Sequence, residues 1–141
     1  MKNKTEKDFE IFKEEVYYWV DYFKLYNWDI RVAFKKDDVV SDLFDEEEKD
    51  AWTYVDHKNH VAFIYLNKRC VNEKDLEKEN EIRFVAFHEV CEVLLYPLTI
   101  LAKEVYNENV IVKNTHIIIH HLENSVFKEK YGNIKRNVDK T

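Results

Sequence analysis

The sequence predicts one α+β domain spanning residues 1–141, with a core from about 8 to 131. Its parts are an N-terminal helix, a three-stranded, mainly antiparallel sheet, a long helix and a final helix. Three observations lead there. Hydrophobic residues make up 45% of a 141-residue chain, enough for one real core. One Gly and one Pro are too few for a turn-dense all-β fold. The hydrophobic spacing also changes along the chain, from three-and-four to strict alternation and back.

Residues 5 to 26 carry Phe9, Phe12, Val16, Trp19, Val20 and Phe23 at spacings of three and four, the stripe of an amphipathic helix. "WDIRVAF" then alternates Trp28, Ile30, Val32 and Phe34 with polar or small residues, as a half-buried strand does. The acidic run 37–50 has no clean period and reads as a solvated loop rather than a cation site. "AWTYV" and "VAFIYL" are β-rich and joined by "DHKNH", a hairpin whose His57 and His60 read as a surface pair.

From Asn72 to Tyr96 the pattern is helical, with Asn72 as cap, Glu73 and Asp75 in the first turn, and Pro97 as the stop. A mixed segment follows. "NTHIIIHHLENSVFKEKYG" is the last helix, capped by Asn114 or Thr115 and closed by Gly132.

Composition narrows the function. A net charge of −6 argues against wholesale binding to a phosphate backbone, so no nucleic-acid partner is expected. No stretch approaches the roughly 20 apolar residues of a bilayer span. The start, "MKNKTEKDFEIF", is charged without a hydrophobic signal core. A cytoplasmic protein without a membrane partner is the expectation. Cys70 and Cys91 form neither a disulfide framework nor a paired zinc motif, and read as buried thiols.

The chemistry concentrates in "FVAFHEVCEVLLYPL". Residues i and i+4 share a helix face, so His88 and Glu92 project side by side, and both are zinc ligand types. Glu89 lies about 100° around the helix, placed to take a proton from an activated water. A third ligand must come from elsewhere. His116, His120 and Glu123 fall at i, i+4 and i+7 on one face of the last helix, so His116 or His120 completes a two-histidine, one-carboxylate set. The ordinary reading of a carboxylate four residues after a histidine is an ion pair. The second histidine cluster, and a His88 set among apolar residues, favour metal instead. Cys91 lacks an orienting group for a thiol mechanism.

The stretches "NWDIRVAF", "HVAFIYLNKRC", "EIRFVAFHEVCEVLLYPL" and "THIIIHHLENSVF" together resemble the small zincin-like metallopeptidases of phage and prophage genomes, over roughly residues 8 to 128. The resemblance implies a minimal zincin-like fold. It makes His88 a ligand, Glu89 the general base and His116 the ligand from the closing helix, with Glu92 where the family places a second histidine. It also implies that "VAFIYL" is an edge strand to which an extended peptide adds.

The functional expectation is a zinc-dependent hydrolase, most simply a peptidase acting on a protein or peptide substrate, with Zn2+ as cofactor. Two alternatives stand beside it. One is a non-catalytic interaction protein on a zincin scaffold. The other is a structural zinc closed by His88, Glu92, His116 and His120.

Overall fold

The structure, a computed structural model, describes residues 4–35, 50–68 and 78–132. Its elements are helix α1 (Lys4–Tyr22), strands β1 (Asp29–Lys35), β2 (Ala51–Asp56) and β3 (Val61–Asn67), helices α2 (Lys78–Ala102) and α3 (Glu108–Leu122), a π-helical turn (Glu123–Phe127) and a short α4 (Lys128–Tyr131). The fold is α+β, with helices on one face of a three-stranded sheet.

In α1 the stripe lands where its spacing requires, with Phe12, Val16 and Trp19 buried. Trp19 meets Phe87 of α2 edge to face at 4.7 Å. Phe127 closes the same aromatic cluster against Phe84 and Phe87. A second tie joins α1, α2 and α4. The buried Glu15 carboxylate accepts from Trp19 Nε1 at 2.7 Å, Arg83 at 2.8 Å and Tyr131 Oη at 2.6 Å.

The sheet is mixed, with strand order β1-β3-β2. The β2–β3 hairpin forms as expected, in antiparallel register from Ala51↔Leu66 to Asp56↔Val61. β1 does not extend a meander. It pairs in parallel with the other edge of β3, from Asp29↔Val61 to Lys35↔Asn67. The expectation of a mainly antiparallel sheet with "VAFIYL" at its edge is therefore corrected: β3 is the central strand and β2 is an edge. The reason is burial. Ala62, Ile64 and Leu66 of β3 are nearly inaccessible, and a strand that apolar is best saturated on both ladders. The outward face is tied by cross-strand rows: Trp52 on Tyr65 at 5.0 Å, and Arg31 over Phe63 at 5.7 Å.

α2 corrects a second expectation. Pro97 sits inside the helix, which runs on to Ala102. Proline removes one intrahelical bond, commonly at a cost of about 3 kcal/mol. Here Leu94, Leu95 and Tyr96 before it are packed on the core. After it, the Thr99 hydroxyl donates to the Tyr96 carbonyl at 2.9 Å. The expected start at Asn72, with its cap and acidic first turn, lies outside the described residues, as does Cys70. By length and composition Glu79–Ala102 would suffice to cross a bilayer, contrary to the expectation that no stretch would. In the fold it is the central helix, flanked by α1, the sheet and α3.

α3 begins earlier than expected. Asn107, not Asn114 or Thr115, is the cap: its side chain accepts from Val110 N at 3.0 Å. Asn114 lies mid-helix with its amide donating to the Val110 carbonyl at 2.8 Å. The β-branched run from Val110 to Ile119 is a mediocre helix former. Burial of Ile111, Thr115 and Ile119 decides the matter. Gly132 ends the chain of helices as expected, with φ +73° and its N–H on the Lys128 carbonyl.

Candidate metal centre

α2 presents His88, Glu89 and Glu92 on the side between the β2 edge and α3, while Phe84, Ala86, Phe87, Val90 and Val93 go into the core. α3 follows α2 after the short 103–107 connection and brings His116 up to His88, their ring centroids 5.3 Å apart. Among the described residues, His88, Glu92 and His116 form a group whose ligand atoms all lie within 4.8 Å of one another. Ligands around a tetrahedral zinc, at bonds of about 2.1 Å, stand roughly 3.4 Å apart. The three side chains need close by little more than an ångström to fit. Two imidazoles and one carboxylate are also a donor set that zinc accepts with a position left open.

His120 is not in that group. It is exposed, and its Nδ1 faces Glu123 Oε1 at 3.0 Å. His121 points elsewhere, with its carbonyl accepting from the Ser125 hydroxyl at 2.7 Å. Of the two histidines left open by spacing, the fold thus brings His116 to His88 and Glu92. His57 and His60 lie in the exposed β2–β3 turn, where His60 stacks on Trp28 at 4.9 Å, and among the described residues they belong to no ligand group. The acidic run 37–50 lies outside the described residues except Asp50, whose carbonyl accepts from Asn67 N.

Two residues complete the surroundings that spacing did not assign. Glu123 is buried, and its second oxygen meets His88 Nδ1 at 3.1 Å. With Nδ1–H donated to Glu123, a neutral His88 ring keeps its lone pair on Nε2. The π turn that begins at Glu123 keeps Glu123 and Phe127 on one buried face. Thr115, Ile119, Glu123 and Phe127 are all buried at a spacing of four. In an α-helix that spacing drifts by about 40° per step. The wider π turn from Glu123 to Phe127 takes part of the drift back, and the Ser125 hydroxyl covers the His121 carbonyl beside it.

The other residue is Thr53 on β2. Its hydroxyl donates to Glu89 Oε1 at 2.7 Å, bracing a carboxylate that is itself buried. A threonine in an edge strand carries no signal in the sequence. Glu123 carried a weak one, its place seven residues after His116.

The charges around His88 work in two directions. Burial disfavours its protonated form. The hydrogen bond to Glu123, with the fields of Glu89, Glu123 and Glu92, outweighs that and raises its pKa above the usual histidine value. His116 moves the other way: its burial comes first, and the neighbouring His88 and His120 add to it, so its pKa falls. Burial, with the fields of Glu123, Glu92 and Glu89, drives the Cys91 thiol far above its ordinary range. That suits a packed thiol, not a nucleophile.

No family model, curated protein or solved structure matches the chain.

Proposed function

We propose that this chain is a zinc-dependent hydrolase, most simply a peptidase of the cytoplasm, with a protein or peptide substrate. The observation that carries this reading is the convergence of His88, Glu92 and His116 beside a buried, braced Glu89. His88 through Nε2, Glu92 and His116 would hold the metal, and Glu123 fixes the His88 ring from behind. Zinc supplies Lewis acidity toward a carbonyl oxygen and toward water.

The chain's own groups then divide the work. Thr53 holds Glu89 Oε1, so the carboxylate is oriented before substrate arrives and its other oxygen is the proton acceptor. Glu89 later returns that proton to the leaving nitrogen. The outer edge of β2 lies next to Glu89 and pairs with no described strand. An extended peptide adding there by main-chain hydrogen bonds would pass across the ligand group. This transfers to β2 the role that the resemblance implied for β3. A closed four-ligand site is less well supported, because His120 is turned to Glu123.

The test is metal content of tag-free protein, followed by hydrolysis of a mixed peptide library. His88→Ala should lose zinc, while His57→Ala and His60→Ala keep it. Glu89→Gln should keep zinc and lose roughly 100-fold or more of any hydrolysis. Equal zinc retention in all three histidine variants would sink the site, and loss of zinc in Glu89→Gln would make Glu89 a ligand.

A further inference from the structure

We propose that the back of the α2–α3 hairpin, away from the ligand group, is the interface of a homodimer. At about 100° per residue, Leu98 and Leu101 lie roughly 80–140° around α2 from His88. Val110, Ile117 and Ile118 lie roughly 100–200° around α3 from His116, in the opposite sense. In an antiparallel hairpin these opposite rotations bring the five side chains to one side. They are 41 to 66% exposed, and Tyr106 at the connection adds another 59%.

This face contrasts with the rest of the chain. Charged residues make up 35% of the sequence, yet 94–102 contains none and 109–122 only Lys113. Depletion of charge marks the core of an interface. With a net charge of −6 on each copy, an uncharged face is where two copies can meet with least repulsion. Along α3 the exposed Val110, Asn114, Ile117 and His121 repeat with spacings of four, three and four, the period of a helix-packing seam, with two of the four positions polar. The polar Asn114 in that seam has its amide tied to the Val110 carbonyl.

Size fits as well. The six side chains offer on the order of 500 Å² per copy before a polar rim is added, in reach of the ~800 Å² per partner of a standard interface. The dimer would leave the ligand group and the β2 edge open, so it stands independently of the proposed chemistry.

Sedimentation of the full, tag-free chain between about 1 and 100 µM decides it, with and without a chelator. The expected wild-type mass is twice 17.2 kDa, in both conditions. Leu101→Glu and Ile118→Glu, exposed positions where folding should survive, should keep the helical circular dichroism and weaken association at least 100-fold. A monomeric wild type across the range would overturn the proposal. So would a dimer unaffected by both variants, a dimer dissolved by the chelator, or a monomer that floats with phosphatidylcholine vesicles through this face. A variant that loses its helical signal is replaced by Leu98→Lys, held to the same two outcomes.

Discussion

Two buried carboxylates, Glu15 and Glu123, stand at different points of the same helical layer and have opposite kinds of partner. Around Glu15 the donors are Trp19, Tyr131 and Arg83, with Lys130 Nζ at 3.7 Å. Arg83 goes on to the exposed Glu79 at 3.0 Å, and none of these donors reaches the ligand group. Burial, reinforced by the hydrogen bond to Glu15, pushes the Tyr131 phenol well above its usual range, so it stays a donor at any ordinary pH. Around Glu123 the partners are two imidazoles, and an imidazole has a second nitrogen. The first cluster is closed and holds elements together. The second passes its polarity on to His88 Nε2 and so to the ligand group. What separates a structural buried carboxylate from a functional one here is whether its partners lead to the ligand group.

The largest expected effect tests the closed cluster. Glu15→Ala leaves Arg83 and the Tyr131 hydroxyl facing a void, and removing one partner of a buried pair commonly costs about 3–5 kcal/mol. Arg83 keeps some access to water, so the low end is expected. Urea denaturation should show the loss, with zinc affinity unchanged once the folded fraction is accounted for. A loss under about 1 kcal/mol would show that this cluster is no better than a surface pair.

The open cluster should respond in the reverse sense. Glu123→Gln keeps the shape but removes the charge behind His88, and such supporting groups are typically worth about 10–100-fold in metal affinity. Competition with a chelator measures this, and an unchanged affinity would erase the contrast between the two carboxylates. Glu92 sharpens it further. Glu92→Gln should bind zinc more weakly, whereas Glu92→His should bind at least as well, provided the larger ring packs. Indistinguishable affinities for wild type and both variants would remove Glu92 from the ligand set. His120→Ala should cost only a few-fold, because Glu123 retains His88 without it.

The smallest effect is a pH dependence, and its sign changes with metal. Without metal, the raised pKa of His88 means a stabilising contribution that is full below the unfolded value of 6.5 and is lost as pH rises through the folded value. His116, whose pKa is lowered, contributes oppositely: its share is present above 6.5 and is lost as pH falls through its folded value. Subtracting the melting curve of Glu123→Gln from that of the wild type isolates the His88 part, which should shrink from pH 6 to pH 8. Zinc competes with the proton on His88, so zinc-induced stabilisation should grow over the same interval. Parallel pH trends with and without zinc would mean that His88 is not a ligand.

The residues show how far a linear reading reaches. The α1 stripe, the β2–β3 hairpin, the stop at Gly132 and the shared face of His88 and Glu92 all rest on bonds or contacts between residues a few positions apart, and each was legible. His116 was legible as one of two histidines on a face; choosing it over His120 required knowing how α3 lies along α2. The place of β1 beside β3 was hidden, since a strand's period says which face is apolar but not which edge it joins. The same holds for Pro97 and for the start of α3, where core packing overrode the local signal. The two bracing contacts lay further from view: Thr53 reaches Glu89 across 36 residues of sequence, and His88 reaches Glu123 across 35. Ligand types and their helical spacing belong to the sequence because one turn of helix carries them. Their orientation belongs to the tertiary structure, because the groups that hold a ring or a carboxylate in place come from other elements.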